Sequence, residues 1–237
     1  MSETEGQCRA RVPAAVYDLA MRLGVKLRDE PHSVSLTQSG QMKRDLDSDQ
    51  WMAFTADQTM STTSCEFNWH VKAGPLGLIS GRDALIAGEG QLDIKVLGII
   101  PVAHAEHTPA LVRGELMRYL AELAWAPGAI LTNNALRWRS DTPDTLSVSA
   151  GVGEVAAEVF LTLDTNGHII GAFAPDRPRS ATAPMLPTPW QGQFSDYRVH
   201  GNLWLPFAGE VAWVIDGRVQ PYWQCRIESW KAVYSIE

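Results

Sequence analysis

The sequence predicts a mainly β fold, a single antiparallel β-barrel or strongly curved half-barrel with one long helix at about residues 111–125 and a short N-terminal helix. Three observations predict it. Several segments alternate apolar and polar residues with period two, the signature of half-buried strands. One stretch, residues 103–127 (AHAEHTPALVRGELMRYLAELAWAP), carries the long helical pattern. Strands and helices nowhere alternate at βαβ spacing, so sequential hairpins are expected.

Residues 13–24 have Pro13 at the first turn, a helical apolar pattern through Val16, Leu19, Ala20 and Leu23, and Gly24 as the stop. From residue 32 the period changes to that of strands, over SVSLTQSG, residues 50–60, residues 65–72 and residues 91–102. In CEFNWHVK, Phe67, Trp69 and Val71 alternate with Asn68, His70 and Lys72. In the long helix, Leu116, Leu120, Leu123 and Ala124 form an apolar stripe suited to docking on a sheet. Pro127 and Gly128 stop it, and short strands are expected at 129–132, 135–140 and 144–150, then a longer one at 153–163. Asn166-Gly167 reads as a tight hairpin turn with positive φ at both central residues. Residues 174–192 hold five prolines and read as a loop, a possible lid. Beyond them a meander of alternating strands closes the chain, with a turn at Asp216-Gly217. No linker interrupts residues 1–237, so one domain is expected, residues 1–12 being flexible.

Composition narrows the function. Hydrophobic residues make up 45% and charged residues 20%, enough for a sizeable core. The net charge is −7 with Lys and Arg scattered, which argues against a nucleic-acid partner. The N-terminus lacks a signal-peptide core and no apolar run reaches membrane-spanning length, so a cytoplasmic protein with no membrane partner is expected. Cys8, Cys65 and Cys225 are odd in number and far apart, which points to buried free thiols.

WMAFTADQ at 51–58, FNW at 67–69, GELMRYLAELAWAP at 114–127, PWQGQFSDY at 189–197 and GEVAW at 209–213 together resemble an uncharacterised bacterial domain-of-unknown-function family. Its most specific piece is E-L-x-R-Y-L-A-E at 115–122. The family's W-x-P-F-like motif is matched except that Ala53 stands where Pro would be. The resemblance implies one fold from about residue 50 onward and transfers no activity.

Glu115, Arg118 and Glu122, at i, i+3 and i+7, place two carboxylates and a guanidinium on one helix face. A carboxylate held in a cavity beside an Arg can act as a general acid or base, whereas the same triplet exposed is an ordinary helix ion pair. His104, Glu106 and His107 precede the helix. Their H-x-E-H spacing is not that of zinc proteases and no third ligand is evident, so no metal is assigned, and His104 is kept as a candidate acid or base. No G-x-S-x-G, catalytic triad or glycine-rich phosphate cradle is present.

Nine tryptophans are many for this length and make an aromatic-lined pocket plausible. The candidate ligand-binding residues are Trp51, Phe67, Trp69, Tyr119, Trp125, Tyr197, Trp213 and Tyr222. The sequence therefore favours a cofactor-independent enzyme acting on a hydrophobic small molecule, of cyclase, isomerase or lyase type. A pericyclic cyclisation in natural-product biosynthesis fits this class. The alternative is a non-catalytic carrier or sensor of lipids or other hydrophobic ligands. A homodimer is compatible with either.

Overall fold

The computed structural model describes residues 12–26, 31–96, 100–105, 108–179 and 185–234, and for residues 96 and 100–105 the backbone alone. The expected flexible segment 1–12 lies outside the described residues except for Val12. A short helix, α1 (Ala14–Arg22), is followed by β1 (Ser33–Lys43), β2 (Trp51–Ser61), β3 (Phe67–Ala73), β4 (Ile79–Ile86), β5 (Glu89–Val96) and β6 (Ile100–Ala105). The long helix α2 (Pro109–Ala121) runs through a 3-10 turn at Glu122–Ala124 to a one-turn helix, α3 (Ala129–Thr132). Then come β7 (Arg137–Thr142), β8 (Thr145–Ala150), β9 (Ala157–Leu163), β10 (Ile169–Arg179), β11 (Leu186–His200), β12 (Leu203–Ile215) and β13 (Arg218–Val233).

All 13 strands form one antiparallel sheet in the order β6-β5-β4-β3-β2-β1-β13-β12-β11-β10-β9-β8-β7. It is a meander broken at one place. Between β6 and β7, which form the two open edges, the chain passes through α2 and α3. The sheet is therefore an open half-barrel, with α2 packed against β9 and β10 on one side and β4 and β5 on the other. A half-barrel with an enclosed helix is what the periodicity predicted.

Enclosure explains the burial of α2. Leu116, Leu120 and Leu123 are buried as expected, but so are Glu115, Met117, Tyr119 and Glu122 around the rest of its surface. Thr108 caps its N-terminus by accepting the Leu111 N–H at 3.1 Å, and Pro109 fills the first helical position, where a missing N–H costs nothing.

α1 buries Val16, Leu19 and Ala20, the residues its pattern selected. It ends in a Schellman arrangement, with Gly24 N–H on the Met21 carbonyl and Val25 N–H on the Ala20 carbonyl. Gly24 has φ +85°, and a Cβ there would stand 1.8 Å from the Asn202 carbonyl oxygen.

Several expectations are corrected. Residues 129–132 form α3, not a strand; the AILT run is apolar and short enough to read either way, and its Ala129, Ile130 and Leu131 are fully enclosed. Residues 103–105 belong to β6, where His104 lies opposite Asp93 in the backbone ladder, so the helical stretch begins later. Residues 153–155 form a 3-10 turn ahead of β9. β4 was not foreseen, because its turn into β5 is Ala87-Gly88, both with positive φ, without the usual Asn or Asp. At Asn166-Gly167, Gly167 alone has positive φ, and Asp164 Oδ1 accepts both the Asn166 and His168 N–H groups; Asp216-Gly217, like Ala87-Gly88, has both φ positive.

The expected loop at 174–192 is largely β10 and β11, paired from Gly171↔Gln193 to Arg179↔Leu186. Proline is tolerated because these strands have one ladder partner there. The β9 pairing of β10 ends at Phe173, before Pro175 and Pro178, and the β12 pairing of β11 starts at Trp190, after Pro187 and Pro189. Residues 180–184 lie outside the described part.

Gly24→Ala is expected to lose at least about 1 kcal/mol of unfolding free energy, from the left-handed backbone alone. Urea denaturation measures it, and an unchanged midpoint would contradict the close approach of α1 to the β11–β12 turn.

Candidate functional site

The Glu115, Arg118 and Glu122 triplet sits inside the half-barrel, and the sheet completes it. Arg118 donates Nε to Glu122 at 2.9 Å and Nη1 to Asp83 on β4, each of the three side chains being 12% accessible. Its guanidinium also lies 4.7 Å from the Phe67 ring centre and 5.0 Å from that of Trp69. Cation–π contact and two carboxylates thus hold a charge that would be costly alone.

The second oxygen of Glu122 accepts from Gln58 Nε2, whose carbonyl accepts from Gln38 Nε2 at 3.3 Å. The Gln38 carbonyl in turn accepts from Trp69 Nε1 at 2.9 Å. A directional chain therefore runs from β3 through β1 and β2 to α2, then to β4. Gln38 and Gln58 occupy inward phases of their strands, two residues beyond Leu36 and Ala56. Burial tends to discharge Arg118, but Glu122, Asp83 and Glu115 more than offset this and hold its pKa above the ordinary value.

Glu115 differs. Its Oε2 and Asp83 Oδ1 are buried without a hydrogen-bond partner among the described residues. Burial, first, and then the Asp83 charge raise the Glu115 pKa well above its ordinary value, while Arg177 and Arg118 pull it down. Two carboxyl groups this close cannot both be charged cheaply, which favours the protonated form of Glu115 beside Asp83. At this position the helix therefore presents a carboxyl group that favours its neutral form, two turns before the paired carboxylate of Glu122.

A second cluster surrounds Arg177 of β10. Its Nε donates to the Gly114 carbonyl of α2 at 3.2 Å, and its guanidinium lies over the rings of Trp190 at 4.6 Å and Trp213 at 5.8 Å. Trp190 Nε1 donates to the Tyr222 hydroxyl at 3.0 Å, and Tyr222 stacks on Trp213 with ring centres 5.9 Å apart.

The structure thus brings together Glu115, Arg118, Glu122, Phe67 and Trp69 in one cluster and Trp213 with Tyr222 in another. The other candidates are dispersed. Trp125 lies in the core, its Nε1 on the Pro206 carbonyl and its ring at right angles to Phe194, so close to β12 that a Cβ at position 209 would stand 3.0 Å from its ring. Tyr119 donates to the Ser61 carbonyl and accepts from Asn133, a latch between α2, β2 and α3, and burial raises its pKa. Tyr197 donates to the Ile169 carbonyl and stacks on His168. The His104 side chain is outside the described part, as are Glu106 and His107. Cys225 is buried and free, and Cys65 is half-buried, its thiol pushed up to about 11 chiefly by burial. Among the described residues no three His, Cys, Asp or Glu side chains group as metal ligands would.

Trp51 lies elsewhere, at the end of the half-barrel where the β1–β2 and β12–β13 hairpins turn. There a cavity of about 1230 Å³ is walled by Leu46, Trp51, Met52, Pro75 and Ile215, with Arg44, Asp45, Asp47, Gln50, Arg179 and Gln220 among its polar groups. The Arg177 cluster adjoins it through the ladder: Arg179 follows Arg177 by two residues on β10, and Gln220 pairs with Trp213. The buried triplet does not line this cavity.

Sequence reasoning missed Asp83, Gln38, Gln58, Arg177 and Trp190. The inward phases of Gln38 and Gln58 were visible in the alternation; Arg177 was hidden in a segment whose prolines read as loop.

Arg118→Met leaves Asp83 and Glu122 buried without their cation and is expected to cost about 3–5 kcal/mol of stability in urea denaturation. A loss below about 1 kcal/mol would show that the network does not hold α2. Glu115 has a folded pKa above its unfolded value near 4.5, so the folded state binds the extra proton and stability falls as pH rises from there through the folded pKa. Glu115→Gln should flatten that decline across pH 4.5–8; parallel profiles for the two proteins would rule the buried acid out as its source.

No curated protein matches the sequence. Among solved structures, a LolA superfamily protein from Nitrosomonas europaea is 7% identical, with 94% of each chain covered and a TM-score of 0.47. A beta-barrel-like protein of domain of unknown function DUF1849 from Brucella abortus is 8% identical, with 87% of this chain and 99% of the other covered and a TM-score of 0.19. Residues 3–225 fit a family of unknown function, which agrees with the uncharacterised family its motifs resemble, and the chain belongs to that family, DUF6544.

Proposed function

We propose that the chain binds a hydrophobic small molecule at the open end of its half-barrel, as a non-catalytic carrier or sensor working without a cofactor. The observation that supports this most is the cavity of about 1230 Å³, large enough for a lipid-sized ligand. Leu46, Trp51, Met52 and Ile215 are half-buried and line this cavity, so they offer it apolar contact. Its charged rim, Arg44 and Arg179 with Asp45 and Asp47, suits a ligand whose polar end stays in water. The interior beneath is already filled by Trp125, Phe194, Trp223 and Phe54, so the ligand enters the mouth and not the middle of the sheet.

One observation favours a second reading, a cofactor-independent cyclase or isomerase, including a pericyclic one. Glu115, whose carboxyl burial and the Asp83 charge hold well above the ordinary range, is the candidate proton donor. For that chemistry a substrate has to reach α2 past the Arg177 cluster. Template catalysis in the mouth requires only shape, and the carrier and the template enzyme then share one site.

Solvent extraction of the purified protein followed by mass spectrometry should release a lipid or other apolar molecule, and a dansylated fatty acid should bind saturably. Ile215→Glu and Met52→Glu are each expected to weaken that binding at least about tenfold, the equivalent of about 1.4 kcal/mol of lost apolar contact, with an unchanged far-UV spectrum. Absence of saturable binding, or full binding in both variants, would overturn the proposal.

A further inference from the structure

The other face of the sheet carries a second cavity, of about 940 Å³, spread over β1, β13, β12, β11, β10 and β9. It lies on the side away from α2. On β11 the buried residues Trp190, Gly192 and Phe194 point to the core, and the alternate residues Gln191, Gln193 and Ser195 line this depression. We infer that it is a binding site for a neutral linear carbohydrate, independent of the ligand at the mouth.

The ladder registers align its side chains into rows that cross the strands. Gln41 lies opposite Gln224, Gln224 opposite Glu210, Glu210 opposite Gln193, and Gln193 opposite Gly171. Gly171 lies opposite Thr162 on β9. One row thus presents three side-chain amides, a carboxylate and a hydroxyl in line across six strands. Five inter-strand gaps of about 4.8 Å make this roughly 24 Å measured along the sheet, the scale of an extended oligomer. Beside it, Ser195, Ala208, Arg226 and Ser39 form a second, shorter row in the same way.

The chemistry of these rows selects the ligand. An amide offers two donors and an acceptor, which matches the paired donor and acceptor character of adjacent hydroxyl groups. Gln41 and Gln224 already bond each other at 3.3 Å, whereas Gln191, Gln193 and Glu210 make no side-chain hydrogen bond among the described residues. Charge is nearly balanced, with Glu210 against Arg226, so the groove has no preference for phosphate or for a strongly cationic ligand.

An apolar platform completes the site. Phe173 is 39% exposed and Ile170 38%, both on the groove wall, and Phe173 lies opposite Gln191 on one side and Phe160 on the other. A flat ring beside amides is what the C–H face of a sugar ring stacks on while its hydroxyls reach the amides. The missing side chain of Gly171 leaves the floor open next to the Thr162 end of the row.

A glycan array probed with the full-length protein, followed by calorimetry with maltohexaose, cellohexaose and chitohexaose, tests this. At least one neutral linear oligosaccharide should bind, and Phe173→Ala should weaken it about tenfold. Gln193→Ala should weaken it severalfold, and both variants should retain the wild-type melting temperature and the binding of a dansylated fatty acid at the mouth. Absence of glycan binding by the folded protein would overturn the inference, as would binding unchanged in both variants, or selection of peptides or anionic polymers in its place. Loss of fatty-acid binding alone counts against the mouth site and leaves this one standing.

Discussion

A guanidinium inside a protein must be paired, and here that requirement positions the helix. Arg118 is held by Asp83 from the sheet and by Glu122 from its own helix, with Phe67 and Trp69 under its plane. Neither carboxylate could be buried without the cation, nor the cation without them. Because Asp83 belongs to β4 and Gln58 and Gln38 to β2 and β1, the pairing fixes the rotation and height of α2 against several strands at once. Apolar contacts alone leave such a helix free to slide; a directional hydrogen-bond chain permits one register.

From this follows the division of the sheet into two working surfaces. The concave side is occupied by α2, the aromatic side chains that surround Trp125, and the Arg177 contact to Gly114. Filling that space stabilises an open sheet whose edges β6 and β7 do not meet. Outside that filled space lie a cavity at the hairpin end and another on the face away from the helix. The first sets Leu46, Trp51, Met52 and Ile215 among charged and amide side chains, and the second sets amides and hydroxyls beside Phe173 and Ile170.

Much of this architecture was legible in the sequence because it depends on period. The strands at 33–43, 51–61 and 67–73 and the enclosed helix all follow from alternation or from 3.6-residue spacing. The Glu–Arg–Glu face was legible for the same reason. Its partners were not: a lone Asp83 in SGRDALI carries no periodic signal, and long-range pairing is invisible until the strand order is known. Residues 174–192 were misread because proline is a local signal of loops, while its tolerance depends on whether a second strand needs the missing N–H. The AILT run at 129–132 shows the same limit, since enclosure on all sides suits a buried turn of helix as well as a strand. Trp213 and Tyr222 came together as a pair, but Arg177 and Trp190, which organise them, lay in or beside the misread segment.

The position of the charged triplet weighs on the choice between carrier and enzyme. Acid–base catalysis asks for a titratable group within hydrogen-bond reach of a substrate. Arg118 and Glu122 are hydrogen-bonded to each other, Arg118 also to Asp83 and Glu122 also to Gln58, and moving either exposes a buried charge. Glu115 is buried among Asp83, Arg118 and Arg177, which is the environment of a proton held in place. The mouth has the opposite character, with apolar side chains left partly bare and charges able to reorient in water. Rigidity at the centre and adaptability at the rim suit a protein that holds a ligand and releases it unchanged. A reaction carried out there would have to draw its acceleration from the shape of the mouth, because the groups able to move protons are committed to holding the helix.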